Sequence, residues 1–115
     1  MTPEIVNLEM ARGDTFSFDL NLPDIAEESV TSIFFSAKKN KNTDSEYLFS
    51  KSLGDGIELI DEKTFRVRVA PRDTADAIPG KYDYDLQLGI GEDIFTPMAG
   101  KLKIIGDVTE MQYGS

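Results

Sequence analysis

The sequence predicts an all-β domain of two packed antiparallel sheets. Three observations carry that expectation. Short segments of strictly alternating apolar and polar residues recur along the chain. Glycine, proline and Asx turn signals separate them at intervals of about 8–15 residues. Within residues 69–90, VAPRDTADAIPGKYDYDLQLGI, one alternating segment ends, a Pro- and Asp-bearing crossing follows, and a tyrosine-led strand begins. A strand, a tight crossing and then a tyrosine at the head of a central strand is how many sandwiches pass from one sheet to the other. No helical period survives beyond about two turns.

In chain order, residues 5–10 read as a first, edge strand. Arg12-Gly13-Asp14 is an integrin-binding tripeptide in other settings, but here it occupies the turn before a strand. Residues 15–22 place Phe16, Phe18, Leu20 and Leu22 on one face and Ser17, Asp19 and Asn21 on the other. Pro23 ends that strand, and residues 24–29 form a polar connection. In Val30–Lys38, Ile33, Phe35 and Ala37 should face the core. Residues 38–44, KKNKNTD, read as a solvated hairpin tip. Residues 47–52 alternate Tyr47, Phe49 and Lys51 against Leu48, Ser50 and Ser52, and either set could face inward.

Gly54-Asp55-Gly56 is a turn, 57–60 a short strand, and Asp61-Glu62-Lys63 a second turn. Residues 64–70 set Phe65, Val67 and Val69 against Arg66 and Arg68. Residues 72–78 allow one helical turn with Asp73 near its start. Tyr82, Tyr84, Leu86, Leu88 and Ile90 then alternate with Asp83, Asp85 and Gln87. Gly91-Glu92-Asp93 closes a hairpin onto residues 94–105, where Pro97 and Gly100 predict a bulge or an edge. The expected organisation is one domain over 1–106 and a flexible C-terminal tail over 107–115.

Composition narrows the chemistry. At 115 residues the chain can bury roughly two-thirds of its unfolded surface without covalent staples. It has no cysteine, so disulfides and thiolate metal sites are excluded, and no histidine, which removes the commonest general base and zinc ligand. Twenty-one acidic against twelve basic residues give a net charge of -9. Nucleic acid and anionic membrane are therefore poor partners. The opening MTPEIVNLEM has neither a basic start nor an apolar core, so no signal peptide is expected, and no apolar run approaches the ~20 residues of a bilayer span.

No constellation in the sequence satisfies the needs of catalysis or metal binding. Asp83 and Asp85 share a strand face and could hold a cation, but Leu88 stands where a calcium loop needs glycine. Asp55, Glu58, Asp61 and Glu62 form a second acidic cluster near two turns. Gly89-Ile90-Gly91 lacks the third glycine of a dinucleotide fingerprint and suits a hairpin. No Gly-x-Ser-x-Gly elbow is present. These readings give no catalytic, cofactor-binding or metal residues, no cofactor and no enzyme. Phe34, Tyr47, Phe49 and Tyr113 are the candidates for an exposed contact surface, with burial against a neighbouring strand the favoured reading for each.

Two resemblances follow. Val69-x-Pro71-x-x-Thr74 with Gly80-x-Tyr82-x-Tyr84 is similar to the tyrosine corner of immunoglobulin-like and fibronectin-like sandwiches. It implies that the Tyr82 hydroxyl bonds back to upstream backbone. The chain departs from the antibody pattern in having no cysteine pair and no core tryptophan. The implied fold is a disulfide-free, immunoglobulin-like antiparallel β-sandwich of about seven to nine strands.

The second resemblance spans residues 12–109. It rests on Arg12-Gly13-Asp14-Thr15-Phe16, Ala37-Lys38-Lys39-Asn40, Leu48-Phe49-Ser50-Lys51, Pro71-x-Asp73-Thr74, Gly80-Lys81-Tyr82-x-Tyr84-Asp85-Leu86 and Gly100-x-Leu102-x-Ile104 with Asp107-Val108-Thr109. The whole resembles small phage and prophage proteins of tail, baseplate or capsid-associated type. That likeness implies a non-enzymatic virion structural or adaptor module, made in the bacterial cytoplasm and residing in the virion. Its partners would be other virion proteins, with copies of itself among them on assembly. Docking is expected at sheet edges, residues 5–10 and 97–102, or on a sheet face. The alternative is a host-surface recognition module that binds saccharide or protein through loop aromatics.

Overall fold

A computed structural model describes residues 3–26, 29–40, 42 and 46–106. Nine strands and one helical turn follow in order: β1 (Glu4–Ile5), β2 (Leu8–Ala11), β3 (Phe16–Asn21), β4 (Val30–Lys38), β5 (Tyr47–Leu53), β6 (Gly56–Asp61), β7 (Thr64–Val69), α1 (Pro71–Thr74), β8 (Gly80–Ile90) and β9 (Asp93–Ile105). The proposed tail, 107–115, lies outside the described residues.

The strands do not divide into two facing sheets. They form a single mixed sheet in the order β1-β9-β8-β4-β5-β6-β7-β3, with β2 also on β9, curled into a half-barrel. The expected immunoglobulin-like antiparallel sandwich is corrected on both counts. Its two layers are joined edge to edge, and β1, β2 and β6 each pair in parallel, with β9, β9 and β5 respectively.

The joint explains why. At Gly54-Asp55-Gly56 the chain loops tightly, with Ser52 N donating to Asp55 O at 3.0 Å and Gly54 N to Ile57 O at 2.9 Å. β6 therefore emerges alongside β5, with Ser52 opposite Gly56 and Leu53 opposite Ile57. Gly54 and Gly56 take φ of 85° and 95°, which side-chain-bearing residues rarely adopt. A Cβ on Gly56 would also lie 2.7 Å from Lys51 Cδ. Alternation specifies a strand's faces but not the sheet it joins, so this turn decides the architecture.

The curl brings β3 across the interior from β4, where Phe18 meets Phe35 edge-on at 5.2 Å between ring centroids. Phe35 also packs on Phe49 and Tyr84, each at 5.6 Å. The expected inward sets of β4, β7 and β8 are buried: Ile33, Phe35 and Ala37; Phe65, Val67 and Val69; Tyr82, Tyr84, Leu86 and Leu88. In β5 the inward set is Phe49 and Lys51. The Lys51 ammonium is 2.7 Å from Asp73 Oδ2, and both side chains are nearly enclosed. The same Asp73 oxygen accepts the Ala70 N–H at 2.7 Å and closes the turn of α1.

The crossing is pinned at two further points. The Tyr82 hydroxyl donates to Ile78 O at 2.7 Å, as the tyrosine-corner likeness implies. The fully buried Thr74 hydroxyl accepts from Gly13 N at 2.9 Å. Arg12-Gly13-Asp14 is thus a turn held against α1, with Gly13 at φ 79° and buried.

Pro97 lies in a bulge: Leu86 pairs with Met98 but Leu88 with Phe95, so two residues of β9 stand opposite Gln87 alone. The expectation that 97–102 is a sheet edge is corrected. β9 pairs there with β8 on one side and with β1 and β2 on the other. At Gly100 an added Cβ would sit 2.4 Å from Val6 O, so the missing side chain is what admits the N-terminal segment. The sheet ends at β1 and β2 on one rim, two short strands that overlap the single edge strand expected over 5–10, and at β3 on the other.

Candidate functional site

Because β4, β8 and β9 are buried on one face, their intervening residues line up on the other. Phe34, Ser36 and Lys38 of β4, Asp83, Asp85 and Gln87 of β8, and Thr96 and Lys101 of β9 share this outer face. Together with Tyr47, Ser50, Ile5 and Asn7 they border a groove of about 820 Å³. Its apolar members are Phe34, Tyr47 and Ile5, with 44%, 60% and 71% of their surfaces in solvent. Large apolar side chains so exposed, and gathered in one depression, mark a contact surface better than scattered ones do.

The charges in the groove come in pairs. Lys101 Nζ lies 2.5 Å from Asp83 Oδ1. Asp85 is half-buried, and burial raises its carboxyl above the ordinary range against a smaller opposing pull from Lys38. Lys38 Nζ also sits 5.5 Å from the centre of the Tyr47 ring. Ser36 and Ser50 share a hydrogen bond at 2.7 Å. Asn7 Oδ1 accepts Lys101 N at 3.1 Å, and the Tyr84 hydroxyl donates to Val6 O. These contacts tie the N-terminal strands into one wall of the groove. Desolvation, then the charge of Glu4, pushes the Tyr84 phenol up to about 12.

Of the four sequence candidates, Phe34 and Tyr47 lie here. Phe49 does not: it is buried in the core against Phe35, because β5 turns its Phe49 and Lys51 inward. Tyr113 lies outside the described residues. Asp83 and Asp85 share the outer face as their spacing requires. The second acidic set is not gathered: Glu58 stands opposite Arg66, and Asp61 Oδ1 accepts Lys63 N at 3.1 Å. Among the described residues no three acidic side chains converge as a metal site.

Ser36 and Lys39 stand at Ser-x-x-Lys spacing, but each side chain is engaged elsewhere. The Ser36 hydroxyl is engaged with Ser50, and Lys39 Nζ lies over the Tyr82 ring at 5.0 Å. Sequence reasoning named residues 5–10 and 97–102 as docking edges but did not bring Ile5 to this face, and it missed the Asp83–Lys101 pair. The register of β8 on β9, which places Asp83 opposite Lys101, is invisible without the bulge at Pro97. It also missed the buried Lys51. Its signal was present, a lysine in step with Phe49.

No protein-family model matches the chain, and no curated protein matches it. Among solved structures, the 1.4 Å crystal structure of an uncharacterized protein from Bacillus anthracis str. Ames is similar. It shares 14% identity over 91% of this chain and 85% of that chain, with a TM-score of 0.50. At that identity the likeness is one of fold alone. The class reached is a β-rich half-barrel with an aromatic-bordered groove on its outer face.

Proposed function

We propose that this chain is a non-enzymatic binding module that docks a partner protein in the outer-face groove, serving as a structural or adaptor component of a phage or prophage virion. The observation that carries the docking is the exposure of Phe34, Tyr47 and Ile5 around one depression. Asp83 already has Lys101 as its ion partner, so a partner can cover the site without stranding that charge. Each apolar side chain covered contributes roughly 25 cal/mol per Å². The virion assignment is supported by the turn and strand motifs of residues 12–109.

Mass spectrometry of purified particles from a host carrying the gene is the test. The expected result is the chain at a fixed ratio to the major virion proteins. Particles lacking it, while the lysate contains it, overturn the assignment. Phe34→Ser with Tyr47→Ser should abolish incorporation while leaving the thermal transition in place, because both side chains are already exposed.

A second reading is favoured by one feature. Aromatic faces beside Asp85, Gln87 and the Ser36 hydroxyl are also the chemistry that recognises sugars. Binding to one wall saccharide on a glycan array, lost in Tyr47→Ser, would put recognition in place of assembly.

A further inference from the structure

The opposite rim of the sheet offers a different surface. β3 pairs with β7 over six residues without a register shift, and among the described residues no strand lies on its other side. Leu22 N donates to Lys63 O at 2.7 Å, which fixes the phase of the ladder. In an antiparallel pair, alternate residues point their N–H and C=O toward or away from the neighbour. Phe16, Phe18 and Leu20 therefore bond to β7. Ser17, Asp19 and Asn21 turn their backbone groups to the open side.

Exposed edges of this kind are usually blunted by lysine, proline, a bulge or shortness. β3 has no lysine, proline or bulge: it reads Phe-Ser-Phe-Asp-Leu-Asn without a register shift, and its one charged side chain, Asp19, is engaged by Arg66. Its inward side chains are also incompletely covered. Phe16, Phe18 and Leu20 are only partly buried, whereas Val69, Val67 and Phe65 opposite them are 0%, 0% and 4% exposed. One more strand beside β3 would satisfy the backbone and cover those rings together.

Charge selects the occupant. Residues 13–37 contain Asp14, Asp19, Asp24, Glu27 and Glu28 and no lysine or arginine, in a chain of net charge -9. Arg66 of neighbouring β7 holds Asp19 at 2.9 Å and compensates it, and Arg68 lies opposite Ser17, so the acidic charge that faces an incoming strand is that of the flanks, Asp14 before β3 and Asp24 after it. A second copy would bring the same carboxylates to the same edge and be repelled. We infer that β3 is an acceptor edge for an extended segment of a partner protein in which apolar residues alternate with basic ones. The apolar set would continue the inner face, and the basic set would meet the acidic flanks. The surface is separate from the groove and does not depend on the virion assignment.

The test is titration of the ¹⁵N-labelled full chain with a peptide of about ten residues alternating valine and lysine, and with its valine–glutamate counterpart. The lysine peptide should shift the amides of Ser17, Asp19 and Asn21 and slow their hydrogen exchange, and added salt should weaken it. Ser17→Pro removes one outward N–H and no bond to β7, and should weaken binding about tenfold, the upper range for one neutral backbone hydrogen bond. If that variant fails to fold, the amide map of the native chain decides. Equal binding of the glutamate peptide, shifts confined to the groove, or an unchanged affinity in Ser17→Pro would overturn the inference. So would a dimer in sedimentation that Ser17→Pro dissolves, because a second copy would then own the edge. Phe34→Ser should leave the titration unaltered, which separates this edge from the groove.

Discussion

The two wings of the sheet, β5-β4-β8-β9 and β6-β7-β3, are built from the same alternating strands yet present different outer faces. The inner faces merge into one core, in which Phe35 of the first wing touches Phe18 of the second. Outside, the first wing collects Phe34, Tyr47 and Ile5 around its groove, whereas the second carries Ser17, Asp19, Glu58, Arg66 and Arg68. Burial on one face leaves a strand free to use the other. The long strands of the first wing spend that freedom on apolar contact surface. The short strands of the second carry a charged cluster, with Leu59 and Ile60 of β6 exposed apart from it, and leave a rim open instead. The wings meet along only two residue pairs between β5 and β6, so the shared interior and the Lys51–Asp73 ion pair must hold the curl.

The largest blow to that joint is Phe35→Ala. It removes the ring that contacts both wings, and a buried Phe→Ala change costs about 3–5 kcal/mol. Chemical denaturation followed at tyrosine should show one earlier transition. Two separated transitions would mean the wings fold independently. Next is Lys51→Ala, which strands Asp73 beside α1. Leaving one member of a nearly enclosed ion pair is expected to cost about 3 kcal/mol, and Lys51→Met with Asp73→Asn should recover part of it. A cost too small to measure would show that the pair does not brace the curl.

The smallest effect probes how the first wing holds its rim. Tyr84→Phe removes the hydroxyl that reaches Val6 and should cost about 1–2 kcal/mol. The phenol ionises near 10.0 when the chain is unfolded and near 12 when folded. Its contribution is therefore full below pH 10, and is lost as pH rises toward 12, because the unfolded state gives up its proton first. Alkaline unfolding of the native chain should be steeper over that window than that of Tyr84→Phe. Identical curves would remove the phenol from the account.

The strands and their inward faces were legible wherever alternation was strict, as at Phe65, Val67 and Val69 or at Tyr82 through Leu88. Their grouping was not. Nothing in a period of two says that β6 stays beside β5; the left-handed glycines of the 54–56 turn do. Pro97 and Gly100 were correctly marked as irregular, yet irregularity here means a bulge and a close approach by Val6, not an open side. Half of the groove was visible as Phe34 and Tyr47. Phe49 stayed open between core and contact surface because β5 offers two alternating sets, and Lys51, in step with Phe49, spoke against the phase that is in fact buried. Lys101 escaped notice because its partner depends on pairing between residues far apart in sequence.

The parallel pairing of β1 and β2 with β9 carries a consequence for synthesis. The partners of Leu8–Ala11 are Leu102–Ile105, nearly the whole described chain away. A ribosome therefore extrudes these N-terminal strands long before anything exists for them to pair with. Met10, 5% exposed in the finished structure, lacks its cover from β9 until that strand has been made. Closing so long a loop comes late and slowly, so this segment waits unpaired while the strands between are made.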